Sequence, residues 1–355
     1  MPTIDADTHV IETERTWDFM DPADQKYRPV IVTPRGEDAK EYWMVDGKLW
    51  GIARFGGRDF KELSRLSGRD MNAPVEAREM ADINRRLRHM DQLGVDVHVL
   101  YPSIFLGRGA DRPDADVAIC RGYNRWLADI WGRSEGRLRW VTVPPLLSMP
   151  DALDELRWGK EHGACGIFMR CVEGQRVLQD PYFFPLYEEA TRLDLPVTVH
   201  IANSNQEMTA LFSQYTRTST FQLLRLTLVG AFHALILNEL PQRFPGLRFG
   251  FIEAAAGWIP FAIKDLQRRL PALGRKLPDN PLEAYRLYVT CQTDDDLQYI
   301  VGYAGEDNLL IGTDYGHNDQ SSELEALRHL KSSGKITIEQ YDKMTYHNPK
   351  AFYGL

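Results

Sequence analysis

Eight short apolar runs, rich in β-branched residues, alternate along the chain with segments of helical periodicity. The runs cover residues 3–9, 95–101, 139–143, 166–169, 196–200, 247–253, 287–290 and 309–314. Helix-like stretches at 77–93, 116–134, 150–162, 185–193 and 221–243 lie between them. This alternation calls for a parallel sheet covered by helices, and eight strands are enough to close it into a (β/α)8 TIM-type barrel. The competing arrangement, an open doubly wound sheet, calls for a glycine-rich phosphate turn after the first strand. That strand instead runs into Asp-Ala-Asp-Thr-His-Val-Ile-Glu (residues 5–12). Gly94, Gly163 and Gly246 precede strands, where helix C-termini favour a residue at positive φ.

A length of 355 residues suits one such barrel carrying an insertion, so 1–355 is read as a single domain. The first and second runs are separated by far more chain than a connection needs. We assign 10–76 to an insertion between the first and second strands, serving as a lid, an oligomer contact or a surface decoration. Within it, alternating apolar residues flank Asp46-Gly47, a hairpin signal. Residues 55–70, rich in Gly, Arg and Ser, are expected to be mobile.

A barrel enzyme works at the C-terminal ends of its strands. Here those ends carry Asp7 and His9 on the first strand, His200 on the fifth, Glu253 on the sixth and Asp314 on the eighth. Imidazoles and carboxylates at the end of apolar strands are costly to bury unless a shared cation compensates them. Two histidines and several carboxylates suit zinc, manganese or iron better than calcium. Asp7 and His9 stand two apart and therefore face one side of their strand. Arg170, ending the fourth strand, is a candidate carboxylate clamp or a structural ion pair. Tyr101, Tyr315 and Asn203 are substrate-binding candidates, with packing roles as the alternative for the tyrosines. His233 is expected in the core. His89, His98, His162, His329 and His347 are assigned to surface or structure, and the charged run around His89 to a solvated helix face.

A net charge of −8 argues against nucleic acid as partner. The four cysteines form no C-x-x-C pair, which points to reduced structural thiols in a cytoplasmic protein. No secretory signal and no apolar run long enough for a membrane span are seen. A small molecule is the expected partner.

The segments IDADTHVIE, HMDQLGVDVHVLYPS, GIFMR, VTVHI, RFPGLRFGFIEAAAGWIP, IGTDYGH and NPKAFYGL together resemble the amidohydrolase superfamily. The likeness is to its amidohydrolase-related group, which includes aminocarboxymuconate semialdehyde decarboxylase and the resorcylate-type decarboxylases. The resemblance implies one divalent metal, zinc or manganese, held by Asp7, His9, His200 and Asp314. It also implies a homodimer and hydrolysis or decarboxylation of a small organic acid or derivative. Asp314 or Glu253 would accept the proton and Arg170 would position the substrate. Departures are informative. The first motif is D-x-H where many members have H-x-H or E-x-H. Glu253, in E-A-A, stands where the decarboxylases have a proton-donating His in H-G-G. The fourth strand ends Met169-Arg170, without the bridging lysine of binuclear hydrolases. Glu253, His317 and Glu12 are additional ligand types near the first metal. They define an alternative: a dinuclear iron or iron–manganese oxygenase on the same barrel, with Glu253 and His317 as extra ligands.

Overall fold

The computed structural model describes residues 1–33, 41–53, 60–213, 220–319 and 321–355. Strand β1 (Ile4–His9) is followed by a three-stranded antiparallel sheet of β2 (Val30–Val32), β3 (Tyr42–Val45) and β4 (Lys48–Ile52). The chain then forms β5 (Val97–Tyr101), β6 (Leu138–Thr142), β7 (Ala164–Glu173), the short β8 (Arg176–Val177), β9 (Val197–Asn203), β10 (Phe249–Ile252), β11 (Leu287–Cys291) and β12 (Leu309–Ile311). Eight of these, in the order β1-β5-β6-β7-β9-β10-β11-β12, pair in parallel, and β8 folds back on β7. The ring closes where Asp314 N donates to Asp7 O (2.9 Å) and His9 N to Tyr315 O (2.7 Å). The fold is a (β/α)8 barrel of parallel strands alternating with helices.

Closure depends on a glycine. A Cβ on Gly312 would lie 2.3 Å from the Asp7 Cβ, so only glycine lets the last strand's exit pass this close to β1. Opposite the site, the C-terminal helix Asn348–Tyr353 covers the start of the strands: Phe352 occupies the space a Gly250 side chain would need, and Tyr353 Oη donates to Ala6 O (2.7 Å).

Several boundaries differ from expectation, each for a local reason. The 77–93 helix is two helices, Val75–Arg78 and Ile83–Leu93, because Met80 takes φ +54° and the Asp82 side chain caps the second. The 221–243 helix begins as a π-turn, Phe221–Arg225, and breaks at Glu239 (φ +61°) before Leu240–Arg243. Gly94 and Gly163 do adopt positive φ, but Gly246 does not; what it supplies is space, since its Cβ would meet Thr191 at 3.0 Å. The expected hairpin forms, with Asp46 and Gly47 both at positive φ (+49° and +76°) as a two-residue turn requires. It docks through aromatic rings: Trp43 and Trp50 each lie 5.9 Å from Trp17, and Trp50 lies 4.7 Å from Phe105, just after β5. Of the stretch 55–70 expected to be mobile, residues 55–59 lie outside the described residues; the helix Phe60–Ser67 follows. Among the described residues no helix is long and apolar enough to cross a membrane. All four cysteines are buried and free.

Candidate metal centre

At the C-terminal end of the barrel, side chains from β1, β9, β10 and β12 converge. Asp7 and His9 come from β1, whose pairing with β5 shifts register between Asp5 and Thr8. His200 stands within β9, beside Ile252 of β10. Glu253 and Asp314 follow the ends of β10 and β12, and both leave the sheet in the left-handed region (φ +71° and +51°). That conformation is unfavourable for a non-glycine residue, and it turns each carboxylate back over the barrel mouth.

His9 Nε2 lies 3.4 Å from Asp314 Oδ1, 3.6 Å from Asp7 Oδ1 and 3.8 Å from Glu253 Oε2. His200 Nε2 lies 3.1 Å from Glu253 Oε2 and 3.6 Å from Asp7 Oδ1. Donors each about 2.1 Å from one ion sit roughly 3.0–3.5 Å apart, so these spacings suit a single coordination shell slightly expanded. His9 Nδ1 lies 3.0 Å from Pro102 O. A carbonyl only accepts, so Nδ1 carries the hydrogen and Nε2 presents its lone pair, the usual arrangement of a metal-binding histidine. His9 Nε2, His200 Nε2, Asp7 Oδ1 and Glu253 Oε2 are all buried and none has a hydrogen-bond partner. Buried polar atoms left this way are rare and costly.

The electrostatics agree. Burial, then the charges of Asp314, Asp319 and Asp7, push the Glu253 carboxyl well above its ordinary range. Burial chiefly lifts Asp314 to about 7. Burial, then the neighbouring His317 and His200, lowers His9 far below its usual value. Carboxylates that cannot all ionise, beside a His9 imidazole that resists protonation, form a field that a divalent cation would reverse. Two overlapping sets of possible ligands result: Asp7, His9, His200 and Glu253, and His9, Glu253, Asp314 and His317.

The sequence matches the profile of a family described as amidohydrolase over residues 4–355. The chain belongs to the amidohydrolase family. Solved structures agree on the fold. An amidohydrolase from Mycobacterium avium subsp. paratuberculosis K-10 superposes with a TM-score of 0.79 at 16% identity, covering 99% of each chain. A dihydroxybenzoic acid decarboxylase from Polaromonas sp. JS666, with bound manganese and the inhibitor 2-nitroresorcinol, gives 0.65 at 17% identity, covering 100% of this chain and 97% of its own. The 4-oxalomesaconate hydratase of Rhodopseudomonas palustris gives 0.64 at 15% identity, covering 99% and 95%.

Of the other candidates in this amidohydrolase, His317 and the Tyr101 ring lie beside the centre, at 3.7 Å from His9 and 5.2 Å from His200 between ring centres. Glu12 is no part of either ligand set: its two oxygens accept the backbone N–H groups of Ser103 (3.0 Å) and Ile104 (3.1 Å), shaping the loop after β5. His317 stacks on His9 at 3.7 Å between ring centres and places Nδ1 2.8 Å from Asp314 Oδ1. The Ser103 hydroxyl donates to Val10 O (2.7 Å), so it accepts from His317 Nε2 (2.8 Å). Burial opposes protonation of His317, but Asp314 prevails and lifts it to about 9. With no ion bound, both its nitrogens carry hydrogens and His317 is a charged partner of Asp314. Arg170 takes the ion-pair alternative: Nη1 bonds Glu173 (2.9 Å), Nε bonds Phe105 O (2.7 Å) and Nη2 bonds Gly107 O (3.2 Å). Tyr101 Oη meets Tyr353 Oη (2.8 Å) inside the barrel. Tyr315 faces away from the centre and bonds His89 Nδ1 (2.8 Å). Asn203 uses its amide to hold Asn205 N (2.8 Å) and Leu223 O (3.3 Å). His233, expected in the core, is a partly exposed ion-pair partner of Asp265 (2.9 Å).

Sequence reasoning missed the residues that hold the ligands. Ser322 Oγ donates to Asp314 Oδ2 (2.6 Å), and nothing in its surroundings marks it. Arg86 belongs to the charged run expected on a solvated face, but it is fully buried: Nε donates to His98 Nδ1 (3.1 Å), Nη1 to His9 O (3.2 Å), and its plane lies 3.6 Å from the Tyr315 ring. The helical spacing Ile83, Arg86, Met90, Leu93 was the available signal, since all four share the buried face. Arg225, half-buried on the π-turn and bonded to Ser321 Oγ (2.7 Å), is a cation whose charge reaches Glu253.

Proposed function

We propose that this amidohydrolase is a divalent-metal-dependent hydrolase or decarboxylase acting on a small organic acid or its derivative. The observation that carries the proposal is the set of buried, unpartnered donor atoms of Asp7, His9, His200 and Glu253, with Asp314 Oδ1 3.4 Å from His9 Nε2. Asp7, His9, His200 and Asp314 would hold zinc or manganese; the manganese in the Polaromonas decarboxylase supports that choice. When bound, such an ion acts as a Lewis acid toward a substrate oxygen or water.

The chain's own residues supply the rest. Ser322 and His317 fix the orientation of Asp314. Glu253, whose carboxyl is pushed above its ordinary range by burial and by neighbouring carboxylates, is suited to exchange a proton with the substrate. Arg225, whose charge reaches Glu253, would meet a substrate acid group in place of the ion-paired Arg170. The decarboxylase and hydratase neighbours support lyase chemistry, while Glu253 stands where the family resemblance implies a proton-donating histidine. Nothing observed supports the dinuclear oxygenase alternative.

Metal analysis tests the reading: one zinc or manganese per chain is expected, and close to two metals with oxygen uptake would replace it. In a screen of small carboxylic acids and their esters and amides, Glu253→Gln is expected to retain the ion and lose turnover by about 10²–10⁴-fold. Loss of the ion would make Glu253 a ligand instead.

A further inference from the structure

Beside the metal centre the hairpin of β3 and β4 walls a second space. Among the described residues this cavity, of about 220 Å³, is lined mainly by Trp43, Trp50, Ile104 and Leu106, with Glu12 and Ser103 at its floor. Ser103 bonds His317 Nε2 (2.8 Å), and the His317 ring stacks on His9. The apolar walls therefore open within one hydrogen bond of the imidazole lying against a metal-binding histidine. The hairpin is clamped in place: Trp50 Nε1 donates to Gly107 O (3.1 Å), and Trp50 meets Phe105 edge to face at 4.7 Å.

We infer that this cavity is a specificity subsite that takes an apolar, single-ring-sized group of the substrate, selected by the hairpin. An apolar cavity of about 150 Å³ is enough to hold a benzene ring, so the space here admits one ring and no second. Its mainly apolar wall excludes a charged group, whose desolvation nothing on that wall would offset. A larger cavity, of about 510 Å³, lies across the Ile104–Arg108 loop, lined by Arg108, Arg170, Arg176 and Glu173 together with Leu146, Leu147 and Phe183. The charged groups in its lining make it a less apolar seat than the hairpin cavity. The inference rests on the proposed metal-dependent activity only in joining the cavity to the reaction; its ring preference stands on the cavity alone.

Gly51 provides the test. It lines the cavity from β4, opposite Trp43, and a Cβ built on it touches only Ile104 Cγ1, at an ordinary 3.9 Å. Valine there suits a strand and fills the space without a backbone clash. Benzyl alcohol serves as the neutral ring probe and glycerol as the polar one, with binding followed by tryptophan fluorescence on metal-loaded and metal-stripped protein. The wild type is expected to bind benzyl alcohol and not glycerol, with or without metal. Gly51→Val is expected to weaken benzyl alcohol about tenfold or more, at unchanged metal content and melting temperature. Gly51→Ala should fall between, and decides the question if the valine variant folds poorly. Undiminished benzyl alcohol binding in folded Gly51 variants overturns the inference. A protein that binds the ring through Gly51 but holds no metal overturns the proposed function and leaves the subsite standing.

Discussion

Gly312→Ala places one methyl group at the point where the barrel closes and the metal centre begins. The new Cβ would lie 2.3 Å from Asp7 Cβ and 3.1 Å from both Asp7 Cα and N. Carbon atoms rest about 3.5–4.0 Å apart, so β1 and the β12 exit must separate by more than about 1 Å at this level. Overpacking of this kind costs about 1–3 kcal/mol. At roughly 2–4 °C per kcal/mol for a large domain, the metal-stripped protein should melt several degrees lower. The displaced atom belongs to a candidate ligand: Asp7 Oδ1 is 3.6 Å from both His9 Nε2 and His200 Nε2. Coordination tolerates about ±0.2 Å, so metal affinity should fall about 10–100-fold, as when a supporting contact is lost. Thermal denaturation of the stripped protein and competition with a chelator read the two effects separately. Gly302→Ala is the control: a methyl group on Gly302 would have nothing within 4 Å, and the residue lies in the helix Leu297–Ala304, where alanine favours the fold. A Gly312→Ala protein matching wild type in both melting and metal affinity would refute the reasoning, because no route around the backbone contact leaves Asp7 in place.

Arg86→Met removes the donor to His98 Nδ1 and to His9 O from a fully buried position. It should cost about 2–3 kcal/mol through the acceptors left unpaired and weaken metal binding through His9; a fully competent Arg86→Lys would show that charge alone suffices. Glu12→Gln tests a pH dependence. Burial raises the Glu12 carboxyl from 4.5 to about 7, so between those values the folded state holds the proton more tightly than the unfolded state. Wild-type stability relative to the variant should therefore be highest below pH 4.5 and decline as pH rises through 7, by about 3 kcal/mol at most. Denaturant titrations of both proteins across that range check the sign; a flat or rising difference contradicts it.

The barrel was legible because its signal is repeated. Each strand is an apolar run, and errors at single boundaries do not disturb the alternation. His9 and His200 were legible because they lie inside strands, where two-residue periodicity fixes the face a side chain takes. Tyr315 shows where that reasoning stops. It follows Asp314 directly, yet it points outward to His89 and Arg86, because the chain has left the strand at Ile311 and turned through the left-handed region at Asp314. Arg86 shows a different limit. Its neighbours are charged, and composition cannot tell a solvated arginine from one whose guanidinium is taken up by a carbonyl, an imidazole and an aromatic face.

The same distinction explains how the centre is assembled. Asp7, His9 and His200 reach the ion site by strand geometry, which the paired backbone makes rigid. Glu253 and Asp314 reach it through left-handed turns that cost energy at each residue. Those turns persist because neighbouring groups hold them: Thr290 Oγ1 accepts Glu253 N (2.7 Å), Asp295 accepts Ala256 N (2.9 Å) and Gly257 N (3.1 Å), and Asp5 accepts Thr313 N (3.0 Å). The strain thus falls on the two carboxylates proposed to handle the proton, and the groups bearing it come from the adjacent strands and loops. A sequence read one strand at a time finds the rigid ligands and the residue types of the strained ones. It does not find what holds them, because Thr290, Asp295 and Asp5 come from neighbouring strands and loops, and Ser322 from further along the loop that carries Asp314.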